Sequence, residues 1–469
     1  MLAAMPDDLA FVPAVQLAQL VADRAVSPVE AVTLFCDRID RLDGELNSVV
    51  TLDAERALAT ARQQERLAGT EGAPPFLGIP ILIKDLTLTK GLRTTYGTAT
   101  MASFIPDIDE EHVAKLRRAG FIILGKTNVP EWGTLPFTES ALLGPCRSPW
   151  DPAHTPGGSS GGAAAAMAAG LIPVAHASDG AGSIRIPASN CGVLGLKPAR
   201  GRVTKAPLYG EGLMSFGVVG PIARHTVDAA ALLDVLRGYH PGDPHWAPDP
   251  PQPYAIQASI DPPRLRVGLV DTAPWATFEA TTLTALQRAA SLFEELGHLV
   301  EPCALPLSER LPLDFQAAWS AGLAANPAEH ATFEPFNAQI ARSGAQISAA
   351  RLLQVKASLE QQSSAIVRAS MAFDVVCCPT LTRPPLKVGE LAGLHEQAML
   401  DALAGYLALA PVPNITGQPA MSLPLHWTDD ELPVGVMVIG RPADEATLLQ
   451  LAGQVQRAQD WAARRPRVS

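Results

Sequence analysis

The sequence has little of what a nucleic-acid-binding or secreted protein needs. Acidic residues outnumber basic ones, and the formal net charge over 469 residues is −11, whereas nucleic acid is bound by clustered lysine and arginine. The 6 cysteines are scattered, with no C-x-x-C pair and no spacing typical of zinc ligands. They are typical of buried thiols in a reducing compartment.

Neither an export signal nor a membrane span is visible. The first residues, MLAAMPDDLAF, carry acids where a signal peptide carries bases. The longest apolar stretch, AAAAMAAGLIPVAHA from Ala163, is too short and too rich in alanine to cross a bilayer. We therefore expect a cytoplasmic globular protein that contacts neither membrane nor nucleic acid. Its oligomeric state, monomer or homodimer, stays open.

Strand-like and helical segments alternate along the chain. GIPILIKDL and FIILGKTN have the apolar character of buried strands, and DEEHVAKLRRAG between them is typical of a helix closed by glycine. This order predicts an α/β fold with parallel strands joined by crossover helices.

The organisation favours one domain over residues 1–469. Residues 1–70 have helical periodicity, and residues 71–228 hold the most distinctive motifs. A proline-rich surface connection is predicted over 240–263. A helical excursion near the substrate pocket is predicted over 308–372.

Two glycine-rich loops, TPGGSSGG at 155–162 and SDGAGSIR at 178–185, contain serines but no histidine. A dinucleotide-binding loop is disfavoured, because GAGSIR lacks the third glycine and no acid follows at the required distance. A nucleophile elbow needs a strand before its serine. Here SPWDPAHTP precedes it, and its prolines exclude an interior strand.

A serine hydrolase that uses lysine as its base is the third possibility. A serine hydroxyl is a weak nucleophile without a base, and burial lowers the pKa of a lysine enough for it to serve. Lys84 and Lys126 both follow apolar, strand-like runs. Pattern alone does not choose between them, and both also fit strand ends that emerge into solvent.

Longer motifs resemble one family. TPGGSSGGAAAAMAAG and SDGAGSIRIPASNCGVLGLKPARGRV together resemble the signature of the amidase signature family of serine hydrolases. GIPILIKDL, GFIILGKTNVPEWG, NITGQPAMSLPL and LPVGVMVIGRPADEATLLQLA resemble further segments of that family, in the same order. The resemblance makes 71–228 the signature core. It implies a three-layer α/β/α fold around a large mixed twisted sheet, and amide C–N cleavage without metal or cofactor.

The resemblance also implies a catalytic triad. The nucleophile is Ser183 of AGSIR, the bridging serine in a cis peptide is Ser159 of GGSSGG, and the base is Lys84 of ILIKDL. An oxyanion hole is implied for the backbone N–H groups of Gly180, Ala181, Gly182 and Ser183.

Four neighbouring residues are assigned supporting roles. Asp179 and Arg185 match family positions and are interpreted as an orienting ion pair. Ser178 stands where the family usually has threonine and is expected to hydrogen-bond the relay. Ser160 is expected to cap the alanine-rich helix that follows it.

Some nearby residues are expected to be structural or depart from the family pattern. His154 and His176 are interpreted as structural histidines. Ala181 replaces a glycine beside the oxyanion hole, Ser148 replaces a common asparagine, and Met437 replaces a frequent glutamine. None of these changes removes a triad member.

The expected substrate is a small-molecule amide or carbamate, with a hydrophobic or aryl amide favoured and esters also in range. Apolar residues of TLPFTESALLG, of APLYGEGLMSFG and around Trp319 are candidates for an acyl or aryl pocket. The alternatives are a non-hydrolytic amidase-like subunit and a glutaminase subunit of the transamidosome type.

Overall fold

The computed structural model describes residues 6–207 and 213–469. The helices are α1 (Pro6–Leu9), α2 (Ala14–Ala22), α3 (Pro28–Leu46), α4 (Ala54–Gln64), α5 (Glu111–Arg118), α6 (Gly161–Ala168), α7 (Arg185–Cys191), α8 (Thr226–Leu236), α9 (Tyr254–Gln257), α10 (Ala280–Glu295), α11 (Arg310–Ala324), α12 (Pro335–Ala345), α13 (Ala349–Ser370), α14 (Glu396–Leu407), α15 (Val412–Thr416) and α16 (Glu445–Ala458). The strands are β1 (Val49–Leu52), β2 (Pro80–Lys84), β3 (Ile122–Thr127), β4 (Glu139–Ser140), β5 (Gly144–Pro145), β6 (Ala175–Asp179), β7 (Leu194–Lys197), β8 (Val218–Ala223), β9 (Arg266–Leu269), β10 (Leu299–Pro302), β11 (Val375–Pro379), β12 (Ala420–Trp427) and β13 (Pro433–Gly440).

One large mixed sheet organises the described residues. Its 11 strands lie in the order β1-β3-β2-β6-β8-β7-β12-β13-β11-β9-β10. Parallel pairs occur toward the two ends, at β2–β3, β2–β6, β9–β10 and β9–β11. The centre, from β6 to β11, is antiparallel. The predicted α/β/α class with a large mixed sheet is confirmed.

The predicted strand–helix–strand unit is present as β2, α5 and β3, with β2 and β3 parallel. The interpretation of residues 1–70 as helical is incomplete, because β1 lies in this region and pairs antiparallel with β3 at the sheet edge. A four-residue edge strand has too little alternation to stand out from the helical pattern around it.

Helix α3 shows how local sequence sets an element. The Ser27 hydroxyl accepts the Glu30 N–H at 3.1 Å, and the Glu30 carboxylate accepts the Ser27 N–H at 2.7 Å. This capping box, with Pro28 in the first turn, starts the helix. Asn47 in the left-handed conformation ends it.

The second half of the chain first builds one end of the sheet and then returns to its middle. The proline-rich stretch 240–263 contains the short helix α9 and leads into β9, α10 and β10. The predicted excursion over 308–372 contains α11, α12 and α13. The last two strands, β12 and β13, then enter the middle of the sheet between β7 and β11. Within the described residues, no helix combines the length and apolarity needed to span a bilayer.

Candidate active site

Lys84 ends β2, whose five residues are all buried. The Lys84 Nζ donates to the Ser159 Oγ at 2.8 Å and to the Ser178 carbonyl oxygen at 3.0 Å. Burial lowers the pKa of Lys84 to about 7, although the negative charge of Asp179 opposes this shift. A large fraction of Lys84 is therefore neutral near pH 7 and available as a base.

Ser159 lies in the first glycine-rich loop, and the Gly158–Ser159 peptide bond is cis. The loop passes very close to another backbone segment. A Cβ at position 158 would lie 2.7 Å from the Phe137 backbone nitrogen, so only glycine fits there. This close approach seats Ser159 beside the end of β2.

Ser183 lies in the second glycine-rich loop, directly after β6. The Ser160 N–H donates to the Ser183 carbonyl oxygen at 3.2 Å, so the two loops are joined at their serines. Gly182 before it has φ of 119°, in the region that favours glycine. Ser183 is 8% exposed, against 0% for Lys84 and 2% for Ser159. Of the three side chains, Ser183 is therefore the most accessible to a substrate.

The Asp179 carboxylate holds the second loop in shape. It accepts the Gly182 N–H at 2.6 Å and the Ile184 N–H at 3.1 Å, on either side of Ser183. The Arg185 guanidinium donates to both of its oxygens, at 3.0 and 3.1 Å. Burial acts to raise the pKa of Asp179, but the charge of Arg185 and its hydrogen bonds outweigh that effect and bring the pKa to about 2. The Asp179 carboxylate is thus bonded both to Arg185 and to the backbone on either side of Ser183.

The bond from Gly182 to Asp179 corrects the predicted oxyanion hole. An N–H group already donating to a carboxylate at 2.6 Å is turned away from a substrate oxygen. We therefore remove Gly182 from the set and retain Gly180, Ala181 and Ser183 as candidate donors. The motif indicates that four N–H groups lie in one loop. It does not indicate which of them donates to a group within the protein instead of to a substrate.

The Arg185 guanidinium reaches into the C-terminal part of the chain. It donates to the Met437 Sδ at 2.9 Å and to the Asn414 Oδ1 at 2.7 Å. The methionine that replaces a frequent glutamine thus still accepts from Arg185. Asn414 was not among the predicted site residues. The sequence feature that could have indicated Asn414 is its place in NITGQP, one of the segments that carry the family resemblance.

Ser160 and Ser178 lie at the site, but not in the way predicted. Ser160 occupies the N-cap position of α6, yet its hydroxyl makes no capping bond. That hydroxyl donates instead to the Ser178 carbonyl oxygen at 3.1 Å. Ser178 meets Lys84 and Ser160 through this backbone oxygen rather than through its side chain. The relay contact there does not depend on whether the residue is serine or threonine.

Three further residues named from the sequence, the two histidines and Ser148, each contact a nearby side chain or backbone group. The His154 Nδ1 is 2.8 Å from the Asp151 Oδ2 in a loop. His176 stacks on His112 with ring centroids 5.0 Å apart, and burial lowers its pKa well below the ordinary value. The buried Ser148 accepts the Trp150 N–H at 3.3 Å.

Lys126, the second candidate base, is buried among threonines. Its Nζ donates to the Thr87 carbonyl oxygen at 2.5 Å and to the Thr89 and Thr94 hydroxyls at 3.2 and 3.1 Å. Burial lowers its pKa to about 8, opposed by Asp85. This hydrogen bonding joins Lys126 to the loop after β2 rather than to the serines.

An apolar cavity of about 110 Å³ reaches the second glycine-rich loop at Ala181. Aromatic side chains of Trp275, Phe315, Trp319 and Phe336 line it, and none of its lining residues is charged. Helices α11, α12, α14 and α15 supply most of the wall, and loop residues such as Thr134, Ala181 and Trp275 complete it. Ala181, which replaces a glycine of the family pattern, therefore lies at the boundary between the second glycine-rich loop and the cavity.

The segments predicted to line a pocket contribute to this cavity to different extents. Thr134 and Trp319 line the cavity. Leu135 and Phe137 do not line it but pack with Ile186 in a hydrophobic cluster that includes the lining residue Leu403. Within APLYGEGLMSFG, residues 208–212 lie outside the described residues. The walls from α14 and α15 were not predicted.

A model of the family described as Amidase matches residues 30–449. This chain belongs to the amidase signature family. It is 35% identical over 480 residues to the 6-aminohexanoate-cyclic-dimer hydrolase of Pseudomonas sp. (strain NK87), covering 96% of this chain and 95% of the other.

Solved structures of amidase signature enzymes have the same fold. The structure of 6-aminohexanoate cyclic dimer hydrolase complexed with substrate is 33% identical, with a TM-score of 0.91 over 98% of this chain and 99% of the other. The native peptide amidase from Stenotrophomonas maltophilia is 25% identical, with a TM-score of 0.81 over 97% and 98%. This amidase signature protein is accordingly an amide-hydrolysing enzyme.

Potential metal-binding side chains are dispersed through the described part of this amidase. Within residues 6–207 and 213–469, no group of three or more histidine, cysteine, aspartate and glutamate side chains has the geometry to hold an ion.

Proposed function

We propose that the enzyme hydrolyses amide C–N bonds through an acyl-enzyme formed on Ser183, with Lys84 as base and Ser159 as bridge. The observation that carries the proposal is the 2.8 Å contact between the Lys84 Nζ and the Ser159 Oγ. A base must be within hydrogen-bond reach of the proton that it takes. Lys84 meets this requirement, and its pKa of about 7 matches work near neutral pH.

Proton transfer and bond formation proceed in order. Neutral Lys84 takes the proton of the Ser159 hydroxyl, and Ser159 takes that of Ser183. The Ser183 Oγ forms a bond to the amide carbonyl carbon. When the tetrahedral intermediate collapses, the C–N bond breaks and the relay returns the proton to the leaving amine. Water then attacks the ester by the same relay, releasing the acid and restoring Ser183.

The oxyanion of the intermediate is stabilised by backbone N–H groups of the second loop. The proposed donors are Gly180, Ala181 and Ser183. Gly182 is left out because its N–H already donates to the Asp179 carboxylate. Such donors act on charge that develops only during the reaction, so they lower the barrier without tightening substrate binding.

Hydrophobic and aryl amides are the proposed substrates. The cavity beside Ala181 is close in scale to the engineered cavity of about 150 Å³ that binds benzene. Its uncharged, aromatic wall would accept a ring or short alkyl chain, and it would leave a charged group unpaired, which is costly. Carbamates and esters, which the same acyl chemistry can attack, are the proposed secondary substrates.

The non-hydrolytic and glutaminase alternatives receive less support. A non-hydrolytic subunit has no need for a buried lysine bonded to a serine beside a glycine-rich loop. A glutaminase must pair the ammonium and carboxylate of glutamine, and the residues lining the cavity carry no charge. The cysteines that the structure describes are free, which supports the proposal of a cytoplasmic location.

The test is covalent labelling and a matched substrate series. A fluorophosphonate is expected to label Ser183, and Ser183→Ala is expected to abolish both labelling and turnover. An adduct on Ser159 or Ser160 would exchange the roles of the serines and reject the proposal. Hexanoyl p-nitroanilide, hexanamide, a phenyl carbamate and a hexanoyl ester, assayed beside glutamine, then identify the substrate class. Preference for glutamine would overturn the assignment to hydrophobic amides.

A further inference from the structure

Asn414 is a buried amide that joins helix α15 to the loop containing Ser183. It is 1% exposed. Its Nδ2 donates to the Asp179 carbonyl oxygen at 3.0 Å, to the Asp179 Oδ1 at 2.9 Å and to the Phe216 carbonyl oxygen at 3.0 Å. Its Oδ1 accepts from Arg185 at 2.7 Å. The side-chain amide therefore bonds to both members of the Asp179–Arg185 pair.

These bonds act on the reaction through Asp179. The Asp179 carboxylate receives the N–H groups of Gly182 and Ile184, which flank Ser183. The orientation of that carboxylate therefore sets the path of the loop and the direction in which its remaining N–H groups point. Asn414 contacts the same Oδ1 that accepts the Gly182 N–H.

The position of α15 adds a second connection. Val412 and Ile415 of this short helix line the apolar cavity. Just before the helix, the Ala410 Cβ is close enough that a Cβ on Gly182 would lie 3.0 Å from it. One segment thus forms part of the cavity wall, packs on the loop and supplies the amide that holds Asp179.

Gln418 shows what an ordinary buried amide does in the same part of the chain. It is 2% exposed, and its Nε2 donates to the Ser370 Oγ at 3.2 Å and to the Gly440 carbonyl oxygen at 2.8 Å. These partners belong to the scaffold and not to the loop of Ser183. Gln418 is therefore a matched control, because its removal also leaves buried groups unpaired.

We propose that Asn414 is a positioning residue, which fixes the oxyanion-binding loop through Asp179. The proposal rests on the proposed function, since it assigns a role in stabilising the oxyanion formed when Ser183 attacks. In Asn414→Ala the carbonyl oxygens of Asp179 and Phe216 lose a donor, and Asp179 loses a bond on the oxygen that faces Gly182. A small displacement of the loop follows, and displacements of about 1 Å cost about 100-fold in rate.

Two inhibitors separate positioning from general loosening. Hexyl trifluoromethyl ketone forms a tetrahedral adduct with the active serine, and its oxyanion occupies the hole. The matching secondary alcohol fills the cavity but forms no adduct. The ratio of their inhibition constants therefore reports formation of the adduct on Ser183 and stabilisation of its oxyanion, separately from filling of the cavity. In Asn414→Ala we expect the ketone to weaken by about 10- to 100-fold relative to the alcohol, with kcat falling and KM little changed.

The outcomes are decisive in either direction. An unchanged ratio in Asn414→Ala, or an equal change in Gln418→Ala, overturns the proposal. If Asn414→Ala does not fold, the same ratio is measured on Asn414→Ser, which keeps a small polar group and is judged by the same criterion. Fluorophosphonate labelling of each variant keeps the two proposals apart. Absent labelling of Ser183 in the wild type rejects the proposed function, whereas normal labelling with an unchanged ratio rejects only the role of Asn414.

Discussion

The Lys84 Nζ lies 2.8 Å from the Ser159 Oγ, with the lysine 0% and the serine 2% exposed. A lysine held away from water cannot keep its charge cheaply, because burial penalises the protonated form. The same contact can run in either direction, from the charged lysine to the serine or from the serine to the neutral lysine. Several measurable consequences depend on which form is populated.

Replacing Lys84 is expected to lower the rate of the reaction, whereas replacing Lys126 is expected to lower the stability of the fold. Lys84→Met removes the proposed base and should lower kcat by about 10³-fold. Lys126→Met removes bonds to Thr87, Thr89 and Thr94. It should lower the free energy of unfolding by about 1–3 kcal/mol and leave kcat within a few-fold. Steady-state rates and urea unfolding of both variants check this, and equal losses of kcat with intact folding would contradict it.

The rate should depend on pH through Lys84. Its pKa of about 7 predicts that kcat/KM rises on the acidic side with an apparent pKa near 7 and stays high at alkaline pH. Lys197 is the control, because burial lowers its pKa to about 7 as well. Lys197→Met should keep the acidic limb. Loss of that limb in Lys197→Met would show that the titration belongs to Lys197 and not to Lys84.

Stability should depend on pH in the same window. Lys84 has a folded pKa of about 7 and a reference value of 10.5, so the unfolded chain binds more protons between these values. Its burial penalty is complete below pH 7 and fades as the pH rises toward 10.5. The stability of Lys84→Met relative to wild type should therefore worsen by about 3 kcal/mol from pH 7 to 10. Urea midpoints that move in parallel would show an ordinary lysine pKa.

Chelators should leave the activity unchanged. The proposed chemistry uses the lysine, the serines and backbone donors, and the described residues contain no group of side chains arranged for a metal ion. Prolonged dialysis against EDTA, followed by assay with and without added zinc, checks this. Loss of activity that zinc restores would reject the proposed mechanism.

The aromatic cavity should determine substrate preference. Trp319 lines it, so Trp319→Ala should lower kcat/KM for hexanoyl p-nitroanilide by about 10- to 100-fold, the value of about 1–3 kcal/mol of lost apolar contact. Trp246 is 67% exposed, and Trp246→Ala should have no effect. Succinyl p-nitroanilide, whose carboxylate would enter the cavity, should be a far poorer substrate than butanoyl p-nitroanilide. Comparable rates for these two anilides would contradict an uncharged pocket.

The parts of the fold that the sequence predicts are those with a strong local signal. Apolar runs predicted β2 and β3, and DEEHVAKLRRAG between them predicted the helix that forms α5. The family resemblance indicated which lysine and which serines meet, and the structure brings Lys84 to Ser159. Each of these features depends on residues near one another in the chain, or on a pattern long enough to be specific.

The remaining features arise from contacts between distant segments. Asn414 reaches Asp179 across 235 positions, and no local pattern distinguishes such an amide from an ordinary buried one such as Gln418. The use of the Gly182 N–H by Asp179 depends on the path of the loop rather than on its composition. The cavity walls from α14 and α15 likewise depend on how the helices pack against one another.

The central position of β12 and β13 in the sheet has a consequence for synthesis of the enzyme. β7 pairs with β12, and β13 pairs with β11, so the halves of the sheet are joined by strands that leave the ribosome last. Asn414 also emerges late. A nascent chain that already carries Lys84, Ser159 and Ser183 therefore still lacks the strands that unite its sheet and the amide that holds Asp179. A chain that ends before β12 lacks the strands that join β7 to β11, and we expect it to have no hydrolytic activity.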